Sequence, residues 1–587
     1  MKKISMTIVI VSFFLLNGIG MSTSFVDDVY ETIEQEVYFS KPSYTDQGDF
    51  IRISYEEKTS MVAQPGNPSL PIISKVFMIP CGSSVQDVSV SFDDGQQILL
   101  QKDITPASSP QYISTEFNGA VYASTINNDV YESTHPFPTD KFWYRTGAGL
   151  HGEDHIIYVT LFLSPLTYEP LNNIVTEHMK ASISISYIPA ETPVVFNDTF
   201  DLLIISPQGY IDALQPLVDA KETRGIRTIL TALEDIPSVG IDQQEDMKYY
   251  IKDALENWGI TYVLLVGGGI ESYEQIPVRN AWVDSGNYER YFPSDLYYAD
   301  IYDANMNFST WDNNSNGKYA EFPADNASVD LYPDVYLGRI PCNTTQDVNN
   351  VVSKIISFME TNQMTYRIVQ MGGDTFPDDP QKINEGEYAN GQVMERLSDY
   401  TSTQLWGSKM NLFRFNIIYN IFKGVDFVDF SGHGSYVSWA THPPQDDSKW
   451  IPQGLYYDGF VYINAQWLLN TKKLPVFVFN ACSCSKFSEF EPCLSWAMIK
   501  QPNGGAIASF GASGIGYGSY GTSETERLFG WMEVNLFEGL ANQKVLGLVW
   551  GTALTNYINS FILEDADYKT IYEMALFGDP SLAIDNA

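Results

Sequence analysis

The sequence has few cysteines, few basic residues and no long hydrophobic run after its N-terminus. Only five cysteines occur in 587 residues, which excludes the disulfide framework that holds small secreted domains together. Lys and Arg number 34 against 72 Asp and Glu, a net charge of −38. This balance argues against nucleic acid as a partner, because phosphate binding requires clustered basic side chains. The hydrophobic content of 44% predicts several folded domains with sizeable cores.

No later stretch reaches the roughly 18 uninterrupted apolar residues of a membrane-spanning helix. The N-terminus carries Lys2 and Lys3, an apolar run over 8–16 and then small residues. This order is typical of a secretory signal peptide. We therefore predict a signal peptide over 1–23 and a secreted or cell-surface protein; an uncleaved anchor is the alternative.

Residues 24–195 are rich in β-type patterns. Segments such as 50–55, 156–162 and 181–187 alternate or are rich in β-branched residues, and turn residues separate them. No long helical period occurs there. The pattern predicts an all-β domain, most simply a sandwich.

From residue 196 onward, apolar strand patterns alternate with helical ones. An alternation of strand and helix predicts an α/β fold, with a parallel sheet flanked by helices. We place a first α/β half at 196–345 and a second at 346–587.

Two apolar runs of the second half each end in a reactive side chain. Residues 425–430 lead into Ser431-Gly432-His433-Gly434, and residues 474–479 lead into Asn480-Ala481-Cys482. Functional residues of α/β sheets lie beyond the carboxyl ends of parallel strands. A thiol beside an imidazole is a nucleophile next to its base. The N–H groups of Gly434 and Cys482 are positioned to bind a developing oxyanion.

Structural interpretations compete with this chemistry. A single Cys at a strand end is often a small buried hydrophobe, and a single His is often a hydrogen-bonded core residue. A zinc site built from Cys482, Cys484 and Cys493 with a His is a further alternative. It lacks the usual Cys-x₂-Cys spacing and a second matching pair.

A polar insertion over 290–340 contains a candidate calcium loop. Asp312, Asn314 and Asn316 alternate and are followed by Gly317, with Glu321 beyond. Alternating oxygen donors and a glycine at the sharp turn suit Ca²⁺. The twelfth loop position, however, is Pro323 rather than an acid. A hydrogen-bonded turn without metal therefore remains an alternative.

Several of these motifs together resemble the gingipain family of cysteine peptidases, which have a caspase-type fold. The resemblance is carried by His433-Gly434-Ser435 with Trp439, Ala481-Cys482, Pro492-Cys493, the N-terminal 66–80 segment and the terminal 577–582 segment. It implies a caspase-like parallel sheet preceded by an all-β pro-domain. That pro-domain, over 24–195, is expected to cover the site until it is cut. A permanent adhesion or spacer module is the alternative for 24–195.

The resemblance also implies roles for individual residues. Cys482 takes the nucleophile's position in preference to Cys484, and His433 that of the base. Asp374 is the nearest acid to the place where the family has a Glu that orients the imidazole. Glu387 corresponds to the family's pocket acid and would favour Arg or Lys before the cut bond, unless it is an exposed acid at a helix start. Trp439 matches the Trp that forms a wall of the family's substrate pocket.

These observations predict a secreted cysteine endopeptidase that acts on proteins or peptides and needs no cofactor for catalysis, with Ca²⁺ in a structural role. An inactive surface or binding protein that keeps the fold is the alternative, and a calcium-stabilised structural module is a third. Both key residues, Cys482 and His433, are present, which favours the enzyme.

Overall fold

The computed structural model describes residues 30–585, apart from 63, 116–125, 192, 193, 195, 271–274, 285–288 and 326–328. The signal peptide predicted over 1–23 lies outside the described residues. Within the described part of the chain, no helix is long and apolar enough to cross a membrane.

The N-terminal region is built from strands and one short helix, α1 (Asn128–Tyr131). Its strands pair as β1–β14–β6, β10–β11–β5–β4, β12–β13–β7 and β2–β3–β8, so several small sheets replace the simple sandwich. The strands are β1 (Glu31–Tyr38), β2 (Ser43–Gln47), β3 (Phe50–Ser54), β4 (Ser60–Met61), β5 (Pro71–Pro80), β6 (Ser84–Phe92), β7 (Gln96–Leu99), β8 (Asp103–Ile104), β9 (Gln111–Tyr112), β10 (Phe142–His151), β11 (Asp154–Leu163), β12 (Leu166–Glu169), β13 (Ile174–Glu177) and β14 (Lys180–Ile188).

The rest of the chain is organised on one ten-stranded sheet of order β16–β15–β17–β20–β30–β28–β27–β23–β21–β22. Its strands are β15 (Leu202–Ser206), β16 (Thr228–Ala232), β17 (Tyr262–Val266), β20 (Tyr336–Ile340), β21 (Arg367–Gly372), β22 (Thr401–Trp406), β23 (Phe427–Ser431), β27 (Val476–Asn480), β28 (Ala508–Ala512) and β30 (Met574–Phe577). Short strands lie outside it: β18 (Asn280–Trp282), β19 (Tyr291–Pro293), β24 (His433–Gly434), β25 (Ser438–Ala440), β26 (Phe460–Val461) and β29 (Tyr517–Gly518).

Nine helices accompany the sheet in the described part of the chain after residue 200. They are α2 (Ile211–Glu222), α3 (Gln243–Trp258), α4 (Thr345–Thr361), α5 (Glu385–Arg396), α6 (Arg414–Phe422), α7 (Leu494–Lys500), α8 (Leu528–Asn542), α9 (Leu546–Ser560) and α10 (Asp565–Glu573). Every residue of the strands β15, β23 and β27 is buried. Helices and loops on both faces account for the lack of apolar–polar alternation in these strands.

The predicted fold class, an α/β sheet preceded by an all-β region, is confirmed. One detail differs, which is the direction of the last strand. The last strand, β30, pairs in parallel with β20 of the first half and antiparallel with β28 of the second. A C-terminal strand thus joins the halves and makes the sheet mixed rather than purely parallel.

Candidate active site

The two strands that end in His433 and Cys482 are neighbours. β23 and β27 pair in parallel, with Ser431 opposite Asn480, and the Gly432 N–H donates to the Asn480 carbonyl at 3.1 Å. His433 and Cys482 each follow their strand by two residues. The structure therefore brings both residues to the same edge of the sheet.

The backbone after His433 packs directly against the loop that carries Cys482. A Cβ atom on Gly434 would lie 2.2 Å from the Cys482 carbonyl oxygen and 2.8 Å from the Cys484 Sγ. No side chain fits at these distances, so glycine is required here for close approach. The closeness aligns the N–H groups of Gly434 and Cys482 with each other.

One carbonyl from the N-terminal region lies between these two N–H groups. The Ile113 oxygen accepts hydrogen bonds from Gly434 N at 2.9 Å and from Cys482 N at 3.1 Å. Two converging backbone donors on one carbonyl form the arrangement that stabilises a tetrahedral oxyanion. The two N–H groups predicted from sequence thus meet on a single peptide oxygen.

The residues around Ile113, Gln111–Thr115, form an extended segment that we call the cleft strand. The Ile113 N–H donates to the Gly516 carbonyl at 3.2 Å, and the Thr115 N–H donates to the Gly434 carbonyl at 3.0 Å. β9 pairs antiparallel with β29. The cleft strand thus binds by strand addition, as a peptide substrate does in many peptidase clefts, and places the Ile113–Ser114 bond over the site.

The imidazole of His433 is oriented by a backbone carbonyl. Its Nε2 donates to the Thr375 oxygen at 2.6 Å, which leaves Nδ1 as the nitrogen able to accept a proton. Burial lowers the pKa of His433 to about 4, against weaker opposing effects of the Thr375 and Ser114 backbone groups. Beneath the cleft strand the imidazole is therefore neutral.

Asp374, the acid predicted to orient this imidazole, makes a different contact. Its Oδ2 accepts from the Gln445 N–H at 2.7 Å, and burial raises its pKa to about 6. The residue that carries the orienting oxygen is the next one along the chain, Thr375. The prediction that Asp374 orients the imidazole is therefore corrected: the Thr375 carbonyl does so, because the loop turns the Asp374 carboxylate toward Gln445.

A second buried acid, Glu385, holds the loop that carries this carbonyl. Its Oε2 accepts from the N–H groups of Thr375 at 3.2 Å and Phe376 at 3.1 Å, and its Oε1 accepts from Gly521 N at 2.9 Å. Burial raises the pKa of Glu385 to about 9. Glu385 therefore links the base's loop to the loop after β29.

The Cys482 sulfur is bonded to the backbone of Gly516. Gly516 N donates to Sγ at 3.0 Å, and Sγ donates to Gly516 O at 3.2 Å. Burial raises the pKa of Cys482 well above that of a free thiol, and the charge of Glu573 adds to the effect. The covered site thus holds an unreactive thiol rather than a thiolate. Cys484 is also fully buried.

The Ile113 side chain and a buried acid, Glu524, both approach Gly518. Gly518 has no side chain. The position that its Cβ atom would take lies 2.9 Å from Ile113 Cγ2 and 3.0 Å from Glu524 Oε2. Glu524 is buried, accepts from Ser519 N at 2.9 Å and from Asn480 Nδ2 at 3.1 Å, and burial raises its pKa to about 7.

Glu387 and Trp439, predicted from the family to form the pocket for the residue before the cut bond, make contacts of their own. The Glu387 carboxylate accepts from Ser408 N at 2.8 Å and Ser408 Oγ at 2.5 Å, at the start of α5. Trp439 is fully buried and packs on Phe430, with 5.1 Å between ring centroids. Trp439 is thus a core residue beneath the site rather than part of a cleft wall.

The candidate calcium loop is closed by its own hydrogen bonds. Asp312 accepts from the N–H groups of Asn316 and Gly317 at 2.9 Å each, and Glu321 is paired with Lys318 at 2.9 Å. Asn314 accepts from the Asn316 N–H at 3.0 Å. Among the described residues, no group of three His, Cys, Asp or Glu side chains is arranged to hold a metal. The side chains of the predicted calcium loop thus bond to one another and to the loop backbone, and the calcium site stays a prediction from the sequence.

Sequence comparison identifies both parts of the molecule. Residues 197–585 match Peptidase family C25, and residues 34–203 match its propeptide, Propeptide_C25. The chain belongs to peptidase family C25. The resemblance to gingipains that the sequence motifs indicated is confirmed.

Curated relatives include two gingipains of Porphyromonas gingivalis. Gingipain R2 is 22% identical over 491 residues, which are 76% of this chain and 57% of that protein. Gingipain R1 is 22% identical over 323 residues, 54% of this chain and 27% of that protein. This chain therefore covers little more than half the length of gingipain R2.

Solved structures of the same kind were also found. The structure described as the Arg specific cysteine proteinase gingipain R is 20% identical, with 67% of this chain and 80% of that chain covered and a TM-score of 0.47. A complex of P. gingivalis RgpB pro- and mature domains is 20% identical, with coverages of 65% and 79% and a TM-score of 0.47.

Sequence reasoning missed the partners that complete the site. These partners act through their backbone groups or accept hydrogen bonds from the backbone: Ile113, Gly516, Thr375 and Glu385. No pattern of residue types predicts such a role. Glu524 was also missed. A buried acid is unusual, but nothing in the local sequence of Glu524 indicates that it is buried.

Proposed function

We propose that this protein is a secreted cysteine endopeptidase made as a latent precursor. The observation that carries the proposal is the Ile113 carbonyl, which accepts from the N–H groups of both Gly434 and Cys482. This places a peptide bond of the propeptide where a substrate bond would be cut. Membership of peptidase family C25 supports the same activity.

In the proposed mechanism, the pro-domain leaves and the Cys482 sulfur turns from Gly516 toward the imidazole. His433 Nδ1 takes the thiol proton and the thiolate attacks the substrate carbonyl, forming an S–C bond. The two N–H groups hold the oxyanion. The C–N bond then breaks as Nδ1–H protonates the leaving amine. Water, deprotonated by Nδ1, releases the acid and the free thiol. Backbone and side-chain groups supply every step.

We further propose that the enzyme prefers Arg or Lys before the cut bond, through Glu524. A buried carboxylate at the end of a pocket favours a cationic side chain. The Ile113 side chain, which fills the same place in the precursor, makes no ion pair with it. An apolar residue there keeps the cleft strand a weak ligand that can be displaced.

Export is part of the proposal. The predicted signal peptide over 1–23 and the acidic composition, with a net charge of −38, suit an extracellular protein. Protein or peptide substrates follow from the family. The structure does not favour Ca²⁺ at Asp312–Glu321, so calcium remains a prediction from the sequence pattern alone.

One labelling experiment tests the activity. The full-length protein is activated by limited proteolysis and treated with Arg- and Lys-based acyloxymethyl ketones, and the labelled peptide is mapped by mass spectrometry. We expect labelling at Cys482 and a loss of peptidase activity of about 10⁶-fold in Cys482→Ala. Cys484→Ala is the matched control and should keep most activity. Unlabelled wild type after activation, with or without calcium, would contradict the proposal.

A further inference from the structure

The cleft strand ends at a large aromatic cavity on the far side of His433. This cavity has a volume of about 580 Å³, within the range of small-molecule and peptide pockets. The residues that line it are Thr115, Val437, Ser438, Ala440, Trp450, Tyr456, Tyr457, Asp458, Val461, Tyr462 and Ile463. We call this cavity the aromatic groove.

Thr115 fixes the position of the groove relative to the bond that is cut. With the Ile113 carbonyl held by Gly434 N and Cys482 N, Ile113 stands before the cut bond and Ser114 after it. Thr115 is then the second residue on the leaving-group side, the P2′ position. Its N–H donates to Gly434 O at 3.0 Å, so its backbone is held in register while it lines the groove.

The groove is built on the same small sheet as His433. β24, β25 and β26 pair antiparallel, with His433 opposite Ala440 and Ser438 opposite Val461. Trp450 connects the two sites, because its ring lies 5.2 Å from that of His433 and also lines the groove. A peptide leaving His433 along Gly434 therefore runs into the groove.

The groove wall is apolar and exposed on its outer side. Tyr456 is 91% exposed, Tyr457 is 70% and Ile463 is 46%. An exposed apolar surface of this kind marks a site where another molecule binds. Asp458 is its one carboxylate side chain, and Asp458 accepts a hydrogen bond from Gly454 N at 3.0 Å. The wall thus suits apolar side chains and repels acidic ones.

We propose that the aromatic groove binds the leaving-group side of the substrate and selects apolar residues at P2′. The inference rests on the proposed function and names a second determinant of the substrate class, independent of the residue before the cut bond. In the precursor the groove is lined by Thr115, whose side chain is short, and Tyr456 and Tyr457 of its wall are exposed. A substrate with Leu or Phe at P2′ covers that wall.

A peptide series tests the inference. Internally quenched peptides Gln-Tyr-Arg-Ser-X-Gly, with X as Leu, Phe, Gly or Asp, are compared on the activated full-length protein. We expect kcat/KM to be about tenfold higher for Leu and Phe than for Gly, because burying an apolar side chain favours the bound state. Asp should be the poorest of the four.

The variant Tyr456→Ser combined with Ile463→Ser should bring the four rates to within about threefold of one another. Rates are normalised to active sites titrated with an acyloxymethyl ketone, so that misfolded protein does not count. Phe422→Ser, on an aromatic residue that is 60% exposed at the end of α6, is the matched control and should keep the preference.

A coumarylamide of Gln-Tyr-Arg, which has no P2′ residue, separates the two proposals. If it is cleaved while the peptide series is flat, the groove inference is overturned and the peptidase assignment stands. If neither substrate is cleaved and no ketone labels Cys482, the peptidase assignment fails and the inference with it. A flat series accompanied by a concentration-dependent dimer that Tyr456→Ser abolishes, seen by sedimentation, would also overturn it.

Discussion

Two of the contacts between the propeptide region and the peptidase domain are held by different forces. The cleft strand is bound mainly through backbone hydrogen bonds, to Gly434, Cys482 and Gly516. The second contact, which we call the anchor, is the backbone of Gly147–Leu150 packed on Tyr332 and Pro333.

The anchor depends on side-chain fit. A Cβ atom on Gly147 would lie 2.1 Å from the Tyr332 ring, and one on Gly149 would lie 2.8 Å from Tyr332 Cβ. The Ala148 N–H donates to Asp330 at 2.7 Å, and the rings of Tyr158 and Tyr332 stack at 4.8 Å.

The difference assigns separate tasks to the two contacts. Backbone pairing accepts almost any sequence, so the cleft strand blocks the site without needing a special residue. Fitted glycines and stacked rings recognise one partner surface, so the anchor supplies the specificity of the pairing. Cutting or displacing the cleft strand should open the site while the anchor still holds.

Gly434→Ala should have the largest effect on kcat/KM. It changes the peptidase residue that contacts the cleft strand and leaves the anchor unchanged. The new Cβ would stand 2.2 Å from the Cys482 carbonyl, which displaces an oxyanion donor. We expect kcat/KM of the activated enzyme to fall about 10³-fold. Gly391→Ala, where a Cβ meets nothing within 4 Å, is the control. An unchanged kcat/KM in Gly434→Ala would show that Gly434 does not form the oxyanion site.

Ile113→Pro breaks the cleft strand from the propeptide side. Proline removes the N–H that donates to Gly516 and does not fit a paired strand. We expect iodoacetamide to modify Cys482 of the uncut protein about 100-fold faster than in wild type, and Ile113→Val to stay protected. Gly147→Val, in the anchor, should instead lower the melting temperature. Equal exposure of Cys482 in both variants would mean that the two contacts are not separable.

Glu524→Gln sharpens the assignment of the pocket that the Ile113 side chain fills. Removing the charge should lower kcat/KM for Arg and Lys substrates about 30-fold, the range of a charge-assisted hydrogen bond. Substrates with Leu before the cut bond should change little. Glu387→Gln is the matched control from the family-based prediction, and a larger loss in that variant would move the pocket to α5.

Glu385→Gln has the smallest expected effect and concerns the loop that orients His433. The pKa of Glu385 is raised from 4.5 to about 9 in the folded protein. Its contribution to stability is therefore full below pH 4.5 and is lost as the pH rises toward 9. Relative to Glu385→Gln, wild type should lose about 1.4 kcal/mol of unfolding free energy between pH 6 and pH 7. Denaturant titrations in a Cys482→Ala background measure it, and parallel curves would contradict it.

The placement of His433 and Cys482 was predictable because it follows from local pattern. Each ends a run of buried β-type residues, and parallel neighbouring strands end at the same edge of a sheet. The partner of the imidazole was one residue away from the prediction, at Thr375 rather than Asp374. A backbone carbonyl has no sequence signature, whereas an acid at a strand end does.

Strand and helix periods along the chain thus determined the α/β fold class and placed His433 and Cys482 at strand ends, because both depend on short stretches of sequence. The choice of Cys482 over Cys484 came from the family resemblance. Only the tertiary structure decided that the Ile113 carbonyl meets the N–H groups of Gly434 and Cys482, that Glu524 and the Ile113 side chain both approach Gly518 and that β30 joins the two halves. These contacts link residues far apart in sequence. Burial and backbone direction create these contacts, and the identity of a single residue predicts neither.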